Sequence, residues 1–304
     1  MTFRARRRQS GGQIDRAKPL DFTFNGQALQ GFAGDTLASA LLGAGVGIVN
    51  RSPVHNRPRG VMGTGTAEKN AYTVIDTEGA DRHALASLVE LAPGMSAESL
   101  WTWPPPSLVD RVRGGSASKG EEAYHEPVAP GFESATSFSH CDILIIGGGP
   151  AGLMAARAAG RAGARVILAD DQPSPGGSLR WCAATLNGKP SKDWLAETLA
   201  ELEALPDVQM LDRANFLGLS ARDKAVVLRL RSDDRTRNTG PATGERVEVW
   251  KIGAQQIIYA PGADERTLAF GDNDVPGVML SSAMLEYANR FAIEPLAQRI
   301  ALTT

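Results

Sequence analysis

Gly147, Gly149 and Gly152 stand in the pattern G-x-G-x-x-G, with Pro150 and Ala151 between the second and third glycines. Residues of these types at this spacing can hold the pyrophosphate of a dinucleotide. The first glycine permits a tight turn out of a strand, the second lets phosphate approach the backbone, and the third lets helix and strand pack closely. The N-terminus of the helix that follows offers free N–H groups and the positive end of its dipole to the anion. Asp170 lies 18 residues after Gly152 and ends a second apolar run, where a carboxylate can accept hydrogen bonds from ribose hydroxyls. The glycine pattern alone is a weak signal, because a structural turn with no ligand can produce it.

The flanking residues decide between the two readings. Residues 143–146 are β-branched or leucine, as in a buried parallel strand. Residues 153–162 are small and helix-favouring, Gly163 closes the helix, and 165–169 form a second apolar strand. Strand, glycines, helix, strand and terminal acid in this order favour a dinucleotide site. The loop 172–179 follows the second strand and is rich in glycine and proline, so it can cross over a bound dinucleotide. Asp171, Gln172, Gly177 and Ser178 are its candidate contacts, with Phe216 placed to pass the adenine and Gly262 at the end of a further strand over 256–259. The spacing of Trp194, Leu195, Leu199 and Leu202 predicts an amphipathic core helix over 192–205. A strand at 208–211, an antiparallel pair at 225–230 and 247–250, a helix at 281–289 and a strand starting at 299 complete the reading.

The N-terminal residues have a different character. Residues 20–24 alternate, Asn25-Gly26 signals a hairpin turn, and a second short strand follows. Asp35 is a candidate N-cap for a helix over 36–42. A polar loop over 51–60 and a strand over 71–75 finish a small α+β module. Arg57 and Arg59 in that loop are candidate anion contacts, with an ordered surface turn as the plainer reading, and His55 has no second ligand nearby. Arg4, Arg6, Arg7 and Arg8 form a basic arm, read as a solvated tail. Residues 104–140 are rich in glycine, serine, proline and charge and read as a linker that includes His125 and His140.

The chain has 304 residues, 42% of them hydrophobic, which is enough for two domains with real cores. The net charge of −2 leaves no nucleic-acid footprint, and no apolar run is long enough to span a bilayer. Two isolated cysteines, Cys141 and Cys182, make neither a disulfide framework nor a C-x-x-C relay and fit a reducing cytoplasm. The expected division is a small α+β domain over 1–95 that resembles a ferredoxin-like domain, a linker over 96–140, and a FAD/NAD(P)-binding Rossmann-like domain over 141–304. The fold class is α/β.

Several stretches together resemble the N-terminal part of the α subunit of heterotetrameric sarcosine oxidase and of related multi-subunit amine and opine oxidases. They are residues 11–16, 20–26 and 31–42, the Asn56-Arg57-Pro58-Arg59-Gly60 loop, 147–152, 170–177, 262–266 and 272–280. The resemblance implies a plant-type ferredoxin-like module, and residues 50–75 lack the cysteines that a [2Fe–2S] cluster requires, so no iron–sulfur cluster is expected. It implies NAD in the dinucleotide site, contacted by Ala151, Asp170, Asp171, Gln172, Ser178 and the region of Phe216. It also implies that a flavoprotein β-type subunit oxidises a secondary amine such as sarcosine, in a hetero-oligomer with further small subunits. Pro261 departs from the family's Thr-Gly-Ala, and residues 101–130 do not match. The chain stops where a second nucleotide-type subdomain is expected to begin, as in a fragment or truncated product. The fingerprint itself leaves FAD open as the alternative to NAD. A stand-alone FAD-dependent pyridine-nucleotide oxidoreductase and a non-catalytic docking module are the competing functions.

Overall fold

The computed structural model describes residues 6–77, 80–101, 134–220, 225–232, 245–294 and 301. The helices described are α1 (Leu37–Gly43), α2 (Pro150–Arg161), α3 (Ser191–Ala204) and α4 (Ser281–Arg290). The described residues up to 101, together with those from 264 onward, form one compact unit. The described residues of 134–232 and 245–263 form another.

In the first unit, β1 (Asp15–Phe24) and β2 (Gln27–Ala33) make the expected hairpin, and Asn25 and Gly26 take the positive φ values that its turn demands. A short pair, β3 (Asn50–Arg51) and β4 (Pro58–Arg59), spans the polar loop. The strands β5 (Tyr72–Thr77), β6 (Ala80–Leu85) and β7 (Ser96–Ser99) complete a sheet of order β2-β1-β7-β5-β6. All of α1 is buried, with Leu37 and Leu41 among the core side chains beside Phe22 and Phe24.

Two expectations change here. The N-cap of α1 is Thr36, which forms a capping box with Ser39, and not Asp35. Asp35 is buried instead and pairs with Arg7 at 2.8 Å while accepting from the Phe32 N–H and the Ser39 hydroxyl. Burial holds the Asp35 carboxyl above its ordinary pKa and Arg7 below its own, against their mutual attraction. Arg7 is therefore no solvated tail residue: it also donates to the Phe291 carbonyl and lies over the Phe32 ring.

Residues 264–294 belong to this first unit, because Ala283 and Tyr287 of α4 and the following Phe291 are buried in its core. That differs from the expected Rossmann-like domain running to 304. The segment expected as a linker over 96–140 also contains structure: β7 lies at its start, and the long strand β8 (Ser134–Ile146) covers its end and includes His140. Residues 102–133 of that linker, Arg4 of the arm, and most of the strand expected from 299 lie outside the described residues.

The second unit is built on a sheet that adds β9 (Val166–Ala169), β12 (Val208–Leu211), β13 (Ala214–Leu219), β14 (Ala225–Ser232) and β15 (Glu245–Tyr259) to β8. A small antiparallel pair, β10 (Thr185–Leu186) and β11 (Lys189–Pro190), leads into α3. The sheet order is β12-β9-β8-β15-β14-β13, with β12, β9, β8 and β15 parallel. The strands read separately at 247–250 and 256–259 are one continuous β15, because β8 pairs with it from Val247 to Tyr259. The helices α2 and α3 cover one face, where Leu153, Leu168, Trp194 and Leu202 are buried together. Arg157 and Arg161 of α2 hold Glu201 of α3. This is the α/β arrangement expected for a Rossmann-like domain, and it places the C-terminal ends of β8 and β9 side by side.

Candidate dinucleotide site

The site begins where β8 ends. Gly147 has φ 101°, and a Cβ there would lie 2.2 Å from the Ala260 carbonyl oxygen, so no larger residue fits the turn. A Cβ on Gly152 would meet the Gly147 carbonyl oxygen at 1.9 Å, which makes glycine obligatory for the packing of α2 on the turn. A Cβ on Gly149 would meet nothing within 4 Å. The second glycine thus has space in front of its backbone, where a dinucleotide fold brings phosphate close. Gly149 is the N-cap of α2 without a side-chain cap, and Pro150 opens the helix, so its first N–H groups are left for another acceptor. Ala151 is exposed in that first turn.

Asp170 follows β9, as expected, and is buried at 6% exposure. Its Oδ2 accepts from the Gly148 N–H at 2.5 Å and its Oδ1 from the Gln172 N–H at 3.0 Å. Burial raises its pKa, and the two N–H donors oppose that shift. The acid read as a ribose acceptor is therefore also a brace between the fingerprint turn and the next loop. Asp171 is exposed and accepts from the Gln172 side-chain amide at 3.2 Å.

The loop after Asp170 folds against the fingerprint. The Gly176 N–H donates to the Gly148 carbonyl at 2.7 Å, and a Cβ on Gly177 would lie 3.1 Å from the Gly149 Cα. Ser178 is exposed in the short 3₁₀ turn Gly177–Arg180. Gly148 and Gly176 were not among the residues expected to matter. Their signal was present in the consecutive glycines at 147–149 and 176–177, which allow two backbones to touch. Phe216 stands on β13, at the opposite edge of the sheet from β12. Two contacts tie that strand to the site: the Ala214 N–H donates to the Asp170 carbonyl at 2.8 Å, and the Phe216 ring meets Tyr259 edge-on at 5.7 Å. Tyr259 pairs with Ile146, one residue before Gly147. Gly262, at φ 78°, is exposed just beyond β15.

The Arg57-Arg59 loop of the first unit is not open to an anion in the same way. Arg57 pairs with Asp274 and with Asp272, the latter at 3.1 Å, and Arg59 pairs with Asp274 at 3.3 Å. This is the plainer reading, an ordered turn. The adjoining segment gathers on Glu68, which is fully buried and accepts from the N–H groups of Met62, Gly63, Asn70 and Ala71 at 2.6–2.9 Å.

Fold and site together define a ferredoxin-like unit followed by a Rossmann-like dinucleotide unit. Residues 17–100 match the 2Fe-2S iron-sulfur cluster binding domain family, and residues 142–198 match the FAD dependent oxidoreductase family. The chain is related over nearly its whole length to sarcosine oxidase α subunits, as the sequence resemblance implied. It is 40% identical to the sarcosine oxidase α subunit of Rhizobium meliloti (strain 1021), over 93% of this chain and 32% of that protein. It is 33% identical to the same subunit of Corynebacterium sp. (strain P-1), over 96% of this chain and 29% of that protein. An opine oxidase subunit of Agrobacterium tumefaciens (strain Ach5) is 32% identical over 47% of this chain and 28% of that protein. The chain thus spans about a third of the length of the sarcosine oxidase subunits it matches. Among solved structures, L-proline dehydrogenase from P. horikoshii shares the fold, with a TM-score of 0.67 and 22% identity over 95% of this chain and 50% of that one.

The residues present do not fit an iron–sulfur cluster. Such a cluster needs four thiolate ligands, and the two cysteines of the chain, Cys141 and Cys182, both lie outside the matched 17–100 segment. A dinucleotide does fit the donor set around Gly149. Among the described residues no helix is long and apolar enough to cross a membrane.

Proposed function

We propose that this chain is the dinucleotide-binding α-type subunit, or part of it, of a sarcosine oxidase-like flavoenzyme that oxidatively demethylates a secondary amine. The observation that carries the reading is the contrast between Gly152, where a Cβ would strike backbone at 1.9 Å, and Gly149, where it would meet nothing. One glycine serves packing and the other leaves room for a ligand. The ADP half of the cofactor is held by the α2 N-terminus at Gly149, Pro150 and Ala151, by Asp170 at the ribose, and by Asp171, Gln172, Gly177 and Ser178 along the covering loop. Phe216 and Gly262 flank the ends.

The family match over 142–198 supports FAD, and NAD rests on the sequence resemblance alone. Either one supplies the capacity to take up two electrons, and this chain binds and orients it. The amine is oxidised on a partner, a flavoprotein β-type subunit, within a cytoplasmic hetero-oligomer that includes further small subunits. The ferredoxin-like unit works without a cluster, as a scaffold. Co-expression with a β-type subunit, followed by purification on a tag carried by this chain, tests the assembly. A stable complex that oxidises sarcosine is the expected result, and a chain that purifies alone overturns the subunit reading. The spectrum of the cofactor extracted from that complex's α chain separates flavin from nicotinamide.

A further inference from the structure

Two segments build the pocket, 147–152 and 170–180. Arg180 is the sole basic residue in either, against Asp170 and Asp171. That balance is unfavourable for a pyrophosphate, which carries two negative charges of its own. Backbone N–H groups and the helix dipole offset part of the repulsion. A fixed cation would offset more, and a guanidinium matches pairs of phosphate oxygens in its planar fork.

Arg180 is held where such a cation is useful. It ends the 3₁₀ turn whose first residue, Gly177, lies against Gly149. Its side chain runs back over Gly176, so closely that a Cβ there would lie 2.8 Å from the Arg180 Cγ. Its Nη1 donates to the Ser174 carbonyl at 3.0 Å. Gly176 is itself bonded to Gly148, so the Arg180 stem is fixed to the loop that rests on the fingerprint. The Gly176-Gly177 pair therefore does two things: it lets the loop touch the fingerprint, and it clears a path for the arginine. The positive charge of Arg180 is also felt at Asp170, where it works against the rise in pKa that burial causes.

We propose that Arg180 is the cation of the dinucleotide site and binds the pyrophosphate of the cofactor's ADP half. This rests on the dinucleotide reading above and adds to it a residue that discriminates phosphate-bearing ligands from bare nucleosides. Lysine keeps the charge and loses the fork, whereas glutamine keeps some polarity and loses the charge.

The test is calorimetric titration of the full chain and of its R180Q and R180K variants with adenosine, ADP and ADP-ribose, at low and high salt. Thermal melts without ligand check that each variant folds. Wild type is expected to bind ADP-ribose and ADP far better than adenosine. R180Q should weaken ADP and ADP-ribose by about tenfold, the effect of one charge-assisted hydrogen bond, and leave adenosine unchanged. It should also flatten the salt dependence, while R180K keeps most of the affinity. If wild type binds ADP-ribose and R180Q binds it equally well, the assignment of Arg180 is wrong and the dinucleotide reading stands. An equal loss for adenosine and ADP-ribose in R180Q also overturns it, because the residue would then act only by holding the loop. If wild type binds none of the three, both readings fall.

Discussion

The Gly148 N–H donates to Oδ2 of Asp170 at 2.5 Å, so the turn at the end of β8 and the acid at the end of β9 are one unit. On the proposed reading, ligand recognition and loop geometry are coupled through this single carboxylate. D170A strands the N–H groups of Gly148 and Gln172 and is expected to cost on the order of 2 kcal/mol in urea unfolding, along with the loss of ADP-ribose binding. D170N keeps one acceptor and should cost less. The pH dependence distinguishes both variants from wild type. Burial raises the Asp170 pKa in the folded state, so its contribution to stability is full below the unfolded pKa and is lost as pH rises through the folded one. Melts of D170N across the acid range should lack that component.

Gly152 and Gly149 should respond to alanine in opposite ways. G152A drives a methyl group into the Gly147 carbonyl oxygen and should destabilise the second unit by at least the roughly 1–3 kcal/mol typical of overpacking. G149A meets no neighbour and should leave the melting temperature near that of wild type while weakening dinucleotide binding at least tenfold. A G149A protein that binds normally would remove the phosphate from this position.

How much of this was legible in the sequence depends on the range of the interaction. The βαβ core was legible because strand, glycines, helix and acid lie within thirty residues and each imposes its own local pattern, and the α1 hairpin module was legible for the same reason. The placement of 264–294 was not. Tyr287 and Phe291 at helical spacing announce a buried face, but nothing local says that it joins the core of the first unit that holds Leu37 and Phe22. Asp35 and Arg7 failed in the same way. An acid before a helix reads as a cap, and only the fold brings a partly buried arginine to it. In the site, the glycines and Asp170 were read from type and spacing. The role of Asp170 as a brace and the contact between Gly176 and Gly148 depend on how two loops meet, which no local pattern encodes.

Glu265 offers a prediction for acid. Its carboxylate accepts from the N–H and hydroxyl of both Ser281 and Ser282, at 2.7–3.1 Å, and so caps α4 from outside the helix. These donors push its pKa down from 4.5 to about 2. A depressed pKa means that the contribution to stability is present above the unfolded value and is lost as pH falls through the folded one. A carboxyl NMR titration should place its midpoint near the lower value. E265Q should match wild type at strongly acid pH and be less stable than wild type at neutral pH. A midpoint at the ordinary value would remove the cap.

Glu68 is the corresponding test for the first unit. It binds four backbone N–H groups while fully buried. E68A leaves those donors unpaired and should destabilise the first unit by on the order of 3 kcal/mol. E68Q should be only partly better, because one end of its side chain presents donors to donors. Hydrogen exchange at Met62, Gly63, Asn70 and Ala71 should report the loss locally, and unchanged protection there would contradict the role.

The most direct measurement is of the cofactor itself: purify the full chain, release any bound small molecule by denaturation, identify it by mass spectrometry, and titrate the stripped protein with FAD, NAD and ADP-ribose. An adenine dinucleotide recovered from wild type, or saturable binding of at least one of these ligands that G149A weakens at unchanged melting temperature, is the expected result. A folded wild-type chain that releases nothing and binds none of the three would contradict a dinucleotide site at Gly147–Gly152.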